Sequence, residues 1–247
     1  MLRKSIPSIL TMLSLLSGIT ALFFVFNTDF QHAMIAILVA AFFDFTDGFA
    51  ARLLNATSEF GVQLDSLSDM ISFGVVPAVA ATVFTASIIG LHNIDQLTLI
   101  RTLDLVIIGL PLLIGVGSAL RLAKFNIDKN QKSHFIGLPT PANTLFVFSF
   151  ILLIKEQGAV FEGNSLFLKG LLVVIFLCSA VMLVLPVDLF ALKFKSFGLS
   201  NNWYRYLLLI TGLVALVIWG LKSFVVIIPF YIILSVILNF FSKEKVG

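Results

Sequence analysis

The sequence has 247 residues, of which 59% are hydrophobic and 12% are charged, and its formal net charge at pH 7 is +3. So few charged side chains could not cover the surface of a water-soluble globule, so the composition excludes a soluble protein and predicts a membrane protein. Basic residues beside anionic lipid headgroups account for the small positive charge, and we predict no nucleic-acid partner.

Apolar runs recur along the whole chain, and each is close to the roughly 20 residues that cross a bilayer as a helix. The runs are too long and continuous for the alternating strands of a β-barrel. We therefore predict an all-α, polytopic transmembrane helical bundle that forms a single domain over residues 1–247. Eight spans are predicted, at residues 8–26, 32–54, 63–90, 103–124, 141–155, 166–186, 203–220 and 223–241.

The first predicted span follows Arg3 and Lys4, as the apolar part of a cleavable signal peptide would. It extends to Phe26 without a small-x-small cleavage pattern, and its first half contains several polar residues. A retained helix is therefore expected instead of a signal peptide.

The basic residues are distributed unevenly between the two sides of the predicted bundle. With the amino terminus inside, twelve lysines and arginines fall on the inner side, and four fall on the outer side: Arg101, Lys155, Lys169 and Lys222. The positive-inside rule then predicts that both termini are cytoplasmic.

The second and third spans carry most of the acidic residues found within predicted spans. Asp44 and Asp47 are three residues apart, and Asp65 and Asp69 are four apart, so each pair lies on one face of its helix. The connection, residues 55–62, is short, so the two helices are expected to be antiparallel neighbours whose acidic faces meet near the cytoplasmic ends. Ionisable groups inside a membrane usually mark a functional site.

Four converging carboxylates in a poorly hydrated site repel one another, and a divalent cation would relieve this repulsion. His32, His92 and His134 are scattered along the sequence and form no cluster of metal ligands. The candidate ligands are therefore carboxylate oxygens, which favour Mg²⁺ or Mn²⁺ over zinc. Gly48 and Gly61 lie beside the aspartates and would let a ligand or a backbone approach closely. A turn or packing contact is the alternative for both glycines, and it is the favoured interpretation for Gly61.

Arg52 lies next to this acidic site, at the predicted boundary with water. A metal and carboxylate site beside an arginine is suited to a phosphate ester, because the arginine can contact phosphate oxygens and the ions can neutralise a transferring phosphoryl group. The alternative is that Arg52 extends to the interface and the aspartates pair with basic residues. Arg52 alone cannot neutralise four acids.

The motif in this region resembles the defining motif of the CDP-alcohol phosphotransferases, with all eight specified positions matched across 26 residues. These positions are Asp44, Asp47, Gly48, Ala51, Arg52, Gly61, Asp65 and Asp69. The resemblance implies an integral membrane enzyme with a helical core that joins a CDP-activated alcohol to a second alcohol and releases CMP. It also implies homodimers and two divalent cations, Mg²⁺ or Mn²⁺.

The resemblance further implies a role for each aspartate. Asp44, Asp47 and Asp65 match positions that bind metal ions in this family. Asp69 matches a position whose carboxylate is both a metal ligand and the general base for the acceptor hydroxyl.

Other residues match positions that contact the cytidine diphosphate part of the donor in this family, namely Gly48, Arg52 and Ser58. The stretch IPSILT, residues 6–11, resembles the Pro-Asn-x-x-Thr opening of the first span, and it adds Ser8 and Thr11 to the expected donor contacts. Ser8 departs from the usual asparagine.

A second stretch, ALRLAKFNIDKNQKSHFIGLPTPAN at residues 119–143, resembles segments of the membrane-embedded phosphatidylserine synthases of bacteria and archaea. This resemblance implies transfer of a phosphatidyl group from CDP-diacylglycerol to L-serine by metal-assisted direct displacement. It also implies a prokaryotic cytoplasmic membrane protein whose active site faces the cytoplasm.

Arg121 and Lys124 share a helix face at the cytoplasmic end of the fourth span. We hypothesise that Arg121, with Lys124 and Asn126, binds serine or the donor phosphates, and ordinary positive-inside residues are the alternative. The prolines and glycine of the GLPTP segment are expected to shape the start of the fifth helix.

Two alternative functions remain open at this point. The acceptor could be glycerol 3-phosphate or an inositol phosphate within the same family. A metal-ion transporter would also carry carboxylates inside the membrane, but it predicts polar groups in several spans, whereas the outer halves of the second and third spans lack charged residues.

Overall fold

The computed structural model describes residues 2–91, 102–127, 135–157, 165–190 and 198–243. Two of the three histidines of the sequence, His92 and His134, lie outside these residues. The described residues confirm the all-α class. The helices are α1 (Leu2–Phe26), α2 (Phe30–Leu53), α3 (Glu59–Met70), α4 (Val76–Ile89), α5 (Thr102–Gly109), α6 (Leu113–Ile127), α7 (Thr140–Glu156), α8 (Ser165–Val184), α9 (Leu199–Trp219) and α10 (Phe224–Lys243).

Six helical stretches in the described part of the chain are long and apolar enough to cross a membrane. They are Ser5–Phe26, Phe30–Leu53, Glu59–Ile89, Thr102–Ile127, Leu166–Val184 and Asn202–Phe240. The count differs from the predicted eight for two reasons. The fifth predicted span corresponds to α7, which has only 17 residues, and α9 and α10 fall in one stretch. The chain is an integral membrane protein, and the number of spans and the cytoplasmic termini stay predictions.

The turn between α2 and α3 brings the two aspartate pairs to one end of the bundle, which we call the acidic end. Asn55 has a positive φ of 49°, a conformation that asparagine adopts more readily than most residues. The Ser58 hydroxyl accepts a hydrogen bond from the Gly61 backbone N–H at 3.0 Å and so caps α3. Because α1 packs against both α2 and α3, it supports the acidic end from one side.

A π-helical turn at Ile71–Val75 connects α3 to α4, directly after the second aspartate pair. Its Phe73 carbonyl oxygen accepts hydrogen bonds from the Thr144 hydroxyl of α7 at 3.1 Å and from the Ser118 hydroxyl of α6 at 3.5 Å. Wide turns of this kind often occur at functional sites. This one fixes α6 and α7 against the helix that carries the second aspartate pair.

Helix α1 approaches the π-helical turn through Gly18. A Cβ atom at this position would lie 2.2 Å from Ser72 Oγ and 3.0 Å from Ser72 Cα, so a side chain would force the two helices apart. The Ser72 hydroxyl also donates to the Ser14 carbonyl oxygen at 3.4 Å. These contacts set the position of α1 along α3 and α4.

The start of α7 is shaped by the glycine and prolines of the GLPTP segment, as expected. Gly137 has a φ of +78°, and a Cβ atom there would lie 2.9 Å from the Leu183 carbonyl oxygen. Pro139 precedes α7 and Pro141 lies in its first turn, where a missing N–H costs nothing. Strand β1 (Phe135–Ile136) pairs antiparallel with β2 (Asp188–Leu189), which holds the segment against the end of α8.

Buried apolar residues form two clusters in the described chain. The larger cluster joins α1, α2, α4, α6, α7 and α8, and its largest fully buried side chains include Phe30, Phe73, Phe148 and Phe176. The smaller cluster lies between β2, α9 and α10. Many large apolar side chains point outward, as expected for a surface that meets lipid.

An ion pair joins α5 to α8 at the end opposite to the acidic end. Lys169 Nζ lies 2.6 Å from Asp104 Oδ1, and the side chains are only 24% and 16% exposed. Replacing Asp104 by alanine would leave the lysine without this partner, so we expect a loss of about 1–3 kcal/mol of stability, measured as a lower Tm in detergent. The double variant Asp104→Leu/Lys169→Leu is expected to unfold closer to the wild-type temperature. If the Tm of Asp104→Ala equalled that of the wild type, the ion pair between Asp104 and Lys169 would add no stability.

Candidate functional site

The four aspartates of α2 and α3 meet at the acidic end. One carboxylate oxygen each from Asp44, Asp47 and Asp65 lie within 4.8 Å of one another. The Asp44 carboxyl group is also within hydrogen-bonding range of those of Asp65 and Asp69. The structure thus brings the two aspartate pairs together, as their spacing predicted, and Asp44 links one pair to the other.

The environment of these aspartates fits a hard divalent cation. Asp47 is 5% exposed, and the buried Oδ1 atom of Asp69 accepts no hydrogen bond from a described donor. Within the described residues, no lysine or arginine forms an ion pair with any of the four. The alternative in which the aspartates form ion pairs with basic residues is therefore not what the described residues show, although Arg121 acts on Asp69 at longer range. An all-oxygen donor set of four carboxylates, with no ion-paired lysine or arginine among the described residues, suits Mg²⁺ or Mn²⁺.

Thr11 reaches the acidic cluster from α1. Its hydroxyl lies 2.5 Å from Asp47 Oδ2 and 3.0 Å from the Pro7 carbonyl oxygen, and its single proton can serve one of them at a time. The Ser68 hydroxyl donates to the Thr11 carbonyl oxygen at 3.3 Å. The sequence predicts that Thr11 contacts the CDP-diacylglycerol donor. It does not predict the contact between Thr11 and Asp47, because no local pattern links residues that are 36 positions apart.

A cavity of about 230 Å³ opens beside the cluster, between α1, α2 and the start of α3. Its lining includes all five residues that were predicted to contact the CDP-diacylglycerol donor, namely Ser8, Thr11, Gly48, Arg52 and Ser58. Asp47 and Asp65 also line it, so the cavity reaches the candidate metal ligands.

The two glycines of the motif have different surroundings. A Cβ atom at Gly48 would find only Arg52 Nη2 within 4 Å, at 3.9 Å, so packing does not require glycine there and the missing side chain keeps the cavity open. A Cβ atom at Gly61 would lie 3.1 Å from the capping Ser58 Oγ. The packing interpretation favoured for Gly61 agrees with this contact.

The three residues proposed for serine or phosphate binding lie in different places on α6. Arg121 is partly buried, interacts electrostatically with Asp69, and has a buried Nε that lacks a hydrogen-bond partner. Lys124 is exposed. Asn126 is exposed and exchanges hydrogen bonds with Ser66 of α3, at 2.9 and 3.2 Å. Arg121 alone of the three therefore faces the acidic cluster, and the binding roles stay predictions.

Comparison with known proteins gives results that agree with this geometry. Residues 4–185 match the family described as CDP-alcohol phosphatidyltransferase. The chain is 32% identical to a CDP-diacylglycerol–serine O-phosphatidyltransferase of Helicobacter pylori over 161 residues, which cover 64% of this chain and 62% of that protein. It is 33% identical to a Bacillus subtilis protein of the same name over 136 residues, covering 55% of this chain and 69% of that protein.

An archaeal relative has a related name. The archaetidylserine synthase of Methanothermobacter thermautotrophicus is 33% identical over 150 residues, which cover 60% of this chain and 58% of that protein. The chain thus spans less than two thirds of the length of the Helicobacter and Methanothermobacter relatives. The four aspartates, the cavity beside them and Arg121 all lie within the matched residues 4–185.

Proposed function

The chain belongs to the CDP-alcohol phosphatidyltransferase family, and from this premise we propose that it transfers the phosphatidyl group of CDP-diacylglycerol to L-serine, giving phosphatidylserine and CMP. One observation carries the proposal: the carboxylates of Asp44, Asp47 and Asp65 converge at the edge of a cavity that Arg52 also lines. A phosphate ester needs such a combination of metal ligands and a basic side chain. The names of the relatives supply serine as the acceptor.

The donor is proposed to bind in the cavity between α1, α2 and α3. Arg52 is exposed at its rim and can contact phosphate oxygens, while Gly48 leaves room for the nucleotide to approach the backbone of α2. Ser8 and Ser58 offer hydroxyl groups from the other two helices. The acyl chains would stay in the surrounding lipid.

The aspartates would hold two divalent cations, Mg²⁺ or Mn²⁺, which supply positive charge to the diphosphate when they are bound. Asp47 is oriented for this task by the Thr11 hydroxyl. Asp44 lies within hydrogen-bonding range of carboxyl groups on α3, so it can bind cations held between the two helices.

Asp69 is proposed to act as the general base. Its Oδ1 accepts no hydrogen bond from a described donor, so it is free to take the proton of the serine hydroxyl. The serine oxygen then forms a bond to the lipid-linked phosphorus while the bond from phosphorus to the CMP oxygen breaks, and CMP leaves with that electron pair. The site is proposed to face the cytoplasm of a prokaryotic cell, where serine is available, and the homodimer stays a prediction.

The acceptor is tested with purified protein, CDP-diacylglycerol and either Mg²⁺ or Mn²⁺. CMP release is measured with L-serine, glycerol 3-phosphate, an inositol phosphate or no acceptor. We expect kcat/KM for serine to exceed that for the other acceptors by at least about a hundredfold, because a polar pocket built for one acceptor rejects others strongly. A higher kcat/KM with a phosphate-bearing acceptor would contradict the serine assignment but keep the family reaction. No CMP release with any acceptor would contradict both.

A further inference from the structure

Several buried polar atoms near the acidic end have no hydrogen-bond partner in the described chain. They include Asp69 Oδ1 on α3, Arg121 Nε on α6, and both Thr140 Oγ1 and Asn143 Nδ2 on α7. Thr140 is 1% exposed and Asn143 is 0% exposed. Buried polar atoms without hydrogen-bond partners are costly and rare, so a group of them, one acceptor on Asp69 and donors on the other three residues, suggests a ligand that is bound during function.

The contacts between helices place these atoms at one height in the bundle. Helices α6 and α7 both bond to the Phe73 carbonyl oxygen, through Ser118 and Thr144. Helix α7 runs in the same direction as α3 and α4, because its far end brings Lys155 Nζ 5.4 Å from the ring of Phe30 at the opposite end of the bundle. Helix α6 runs in the other direction, toward the acidic end.

One helical turn from the Phe73 contact, toward the acidic end, lie the unpaired atoms. Asp69 is four residues before Phe73, Arg121 is three residues after Ser118, and Thr140 is four residues before Thr144. Arg121 and Asp69 interact electrostatically, so α6 and α3 bring these two side chains into the same region without an ion pair between them. Asp69, Arg121 and Thr140 therefore lie at the same height in the bundle, each one turn from the Phe73 contact and on three helices that pack around it.

Asn143 lies one turn after Thr140 on α7, and Ser179 of α8 fixes its amide. The Ser179 hydroxyl donates to Asn143 Oδ1 at 2.7 Å, so the oxygen is occupied and the Nδ2 hydrogens stay available. Both residues are buried, at 0% and 3% exposure. The amide thus has one orientation, with its donor side unpaired.

We propose that Arg121, Thr140 and Asn143 bind the carboxylate of the amino-acid acceptor, and that Ser179 is a positioning residue for Asn143. A guanidinium N–H, a hydroxyl and an amide N–H are all donors, and a carboxylate is an acceptor that can use all of them. Serine carries its carboxylate and its hydroxyl close together, so a carboxylate held here keeps the hydroxyl beside Asp69. The inference rests on the proposed function, because it requires serine as the acceptor.

The first test is the Thr140→Val variant, which keeps the shape of the side chain and removes the hydroxyl. Because this hydroxyl has no partner in the protein alone, its removal is expected to leave Tm unchanged or raise it. The KM for L-serine is expected to rise about tenfold, and the KM for CDP-diacylglycerol is expected to stay the same. Ethanolamine, which is serine without the carboxylate, should be used equally by the variant and the wild type.

The second test is the Ser179→Ala variant, which removes the group that orients the Asn143 amide. We expect a higher KM for serine with an unchanged KM for CDP-diacylglycerol. Ser149→Ala is the matched control on α7, because Ser149 is buried and donates to the Leu221 carbonyl oxygen at 2.6 Å, far from the acidic end. The control is expected to lower Tm and to leave both KM values unchanged.

The outcomes separate this inference from the proposed function. A wild-type protein that releases no CMP with serine overturns both. A wild-type protein that uses serine, together with Thr140→Val and Ser179→Ala variants that keep the wild-type KM for serine, overturns only the carboxylate site. An equal rise in KM for serine and ethanolamine would also overturn it, because the lost contact would then not involve the carboxylate.

Discussion

Replacing Asp69 by asparagine is expected to lower kcat for CMP release by about 10²–10⁴-fold, the usual contribution of a general base. The amide cannot take the proton of the serine hydroxyl, although it occupies the same volume. Rates are measured at saturating donor, serine and divalent cation, so that weaker binding does not account for the loss. Tm is expected to stay the same or rise, because one of four mutually repelling carboxylates loses its charge.

The matched control is Glu59→Gln in the same helix. Glu59 is an exposed acid at the first position of α3, away from the cluster, and the same acid-to-amide change there should leave kcat unchanged. A divalent-cation titration of Asp69→Asn separates its two proposed roles. If Asp69 is both the base and a metal ligand, the variant has a lower kcat and a higher half-saturating cation concentration. If Asp69 is only the base, the variant has a lower kcat and an unchanged half-saturating cation concentration. Wild-type kcat in the variant would remove Asp69 from the reaction.

The convergence of the four aspartates could be predicted from the sequence because it depends on local rules. Helical periodicity puts Asp44 with Asp47 and Asp65 with Asp69 on single faces, and the short connection between the helices leaves only an antiparallel arrangement. The residues expected to contact the donor came instead from the resemblance to the family motif, and they line one cavity because most of the lining lies within the same hairpin.

Contacts between distant helices could not be predicted in this way. The Thr11 hydroxyl reaches Asp47 only because α1 packs against α2. Nothing in the sequence IPSILT indicates that packing. The π-helical turn is another case, since the residues ISFGV give no local signal for it. It is supported by hydroxyl donors from α6 and α7, so it depends on how three parts of the chain pack.

The surroundings of Arg121 also could not be predicted from the sequence. Its charge and its place at the end of an apolar run are typical of any residue that follows the positive-inside rule. Its partly buried position and its interaction with Asp69 distinguish it from the exposed Lys124, and both facts come from the packing of α6 against α3. Burial also distinguishes Thr140 and Asn143, for which the sequence predicts only a place near the start of a helix.

Replacing Asp44 by asparagine is expected to raise the half-saturating concentration of Mg²⁺ or Mn²⁺ by at least about 10–100-fold, because even residues that only support a metal ligand have effects of this size. Asp44 is the carboxylate that contacts both Asp65 and Asp69, so its charge acts on both sides of the cluster. A chelator should abolish CMP release by the wild type, and added cation should restore it at a lower concentration than the variant needs.

The wild-type Tm gives a measurement of the same binding that does not depend on activity. A cation that binds only the folded protein raises Tm in proportion to the logarithm of its concentration, and the rise should begin at a higher concentration for Asp44→Asn. Asp29→Asn is the matched control, since Asp29 caps the other end of α2 and asparagine caps helices equally well. If the cation shifted the Tm of wild type, Asp44→Asn and Asp29→Asn equally, the aspartate cluster would not be the cation site. The proposed reaction would then need another source of positive charge at the diphosphate.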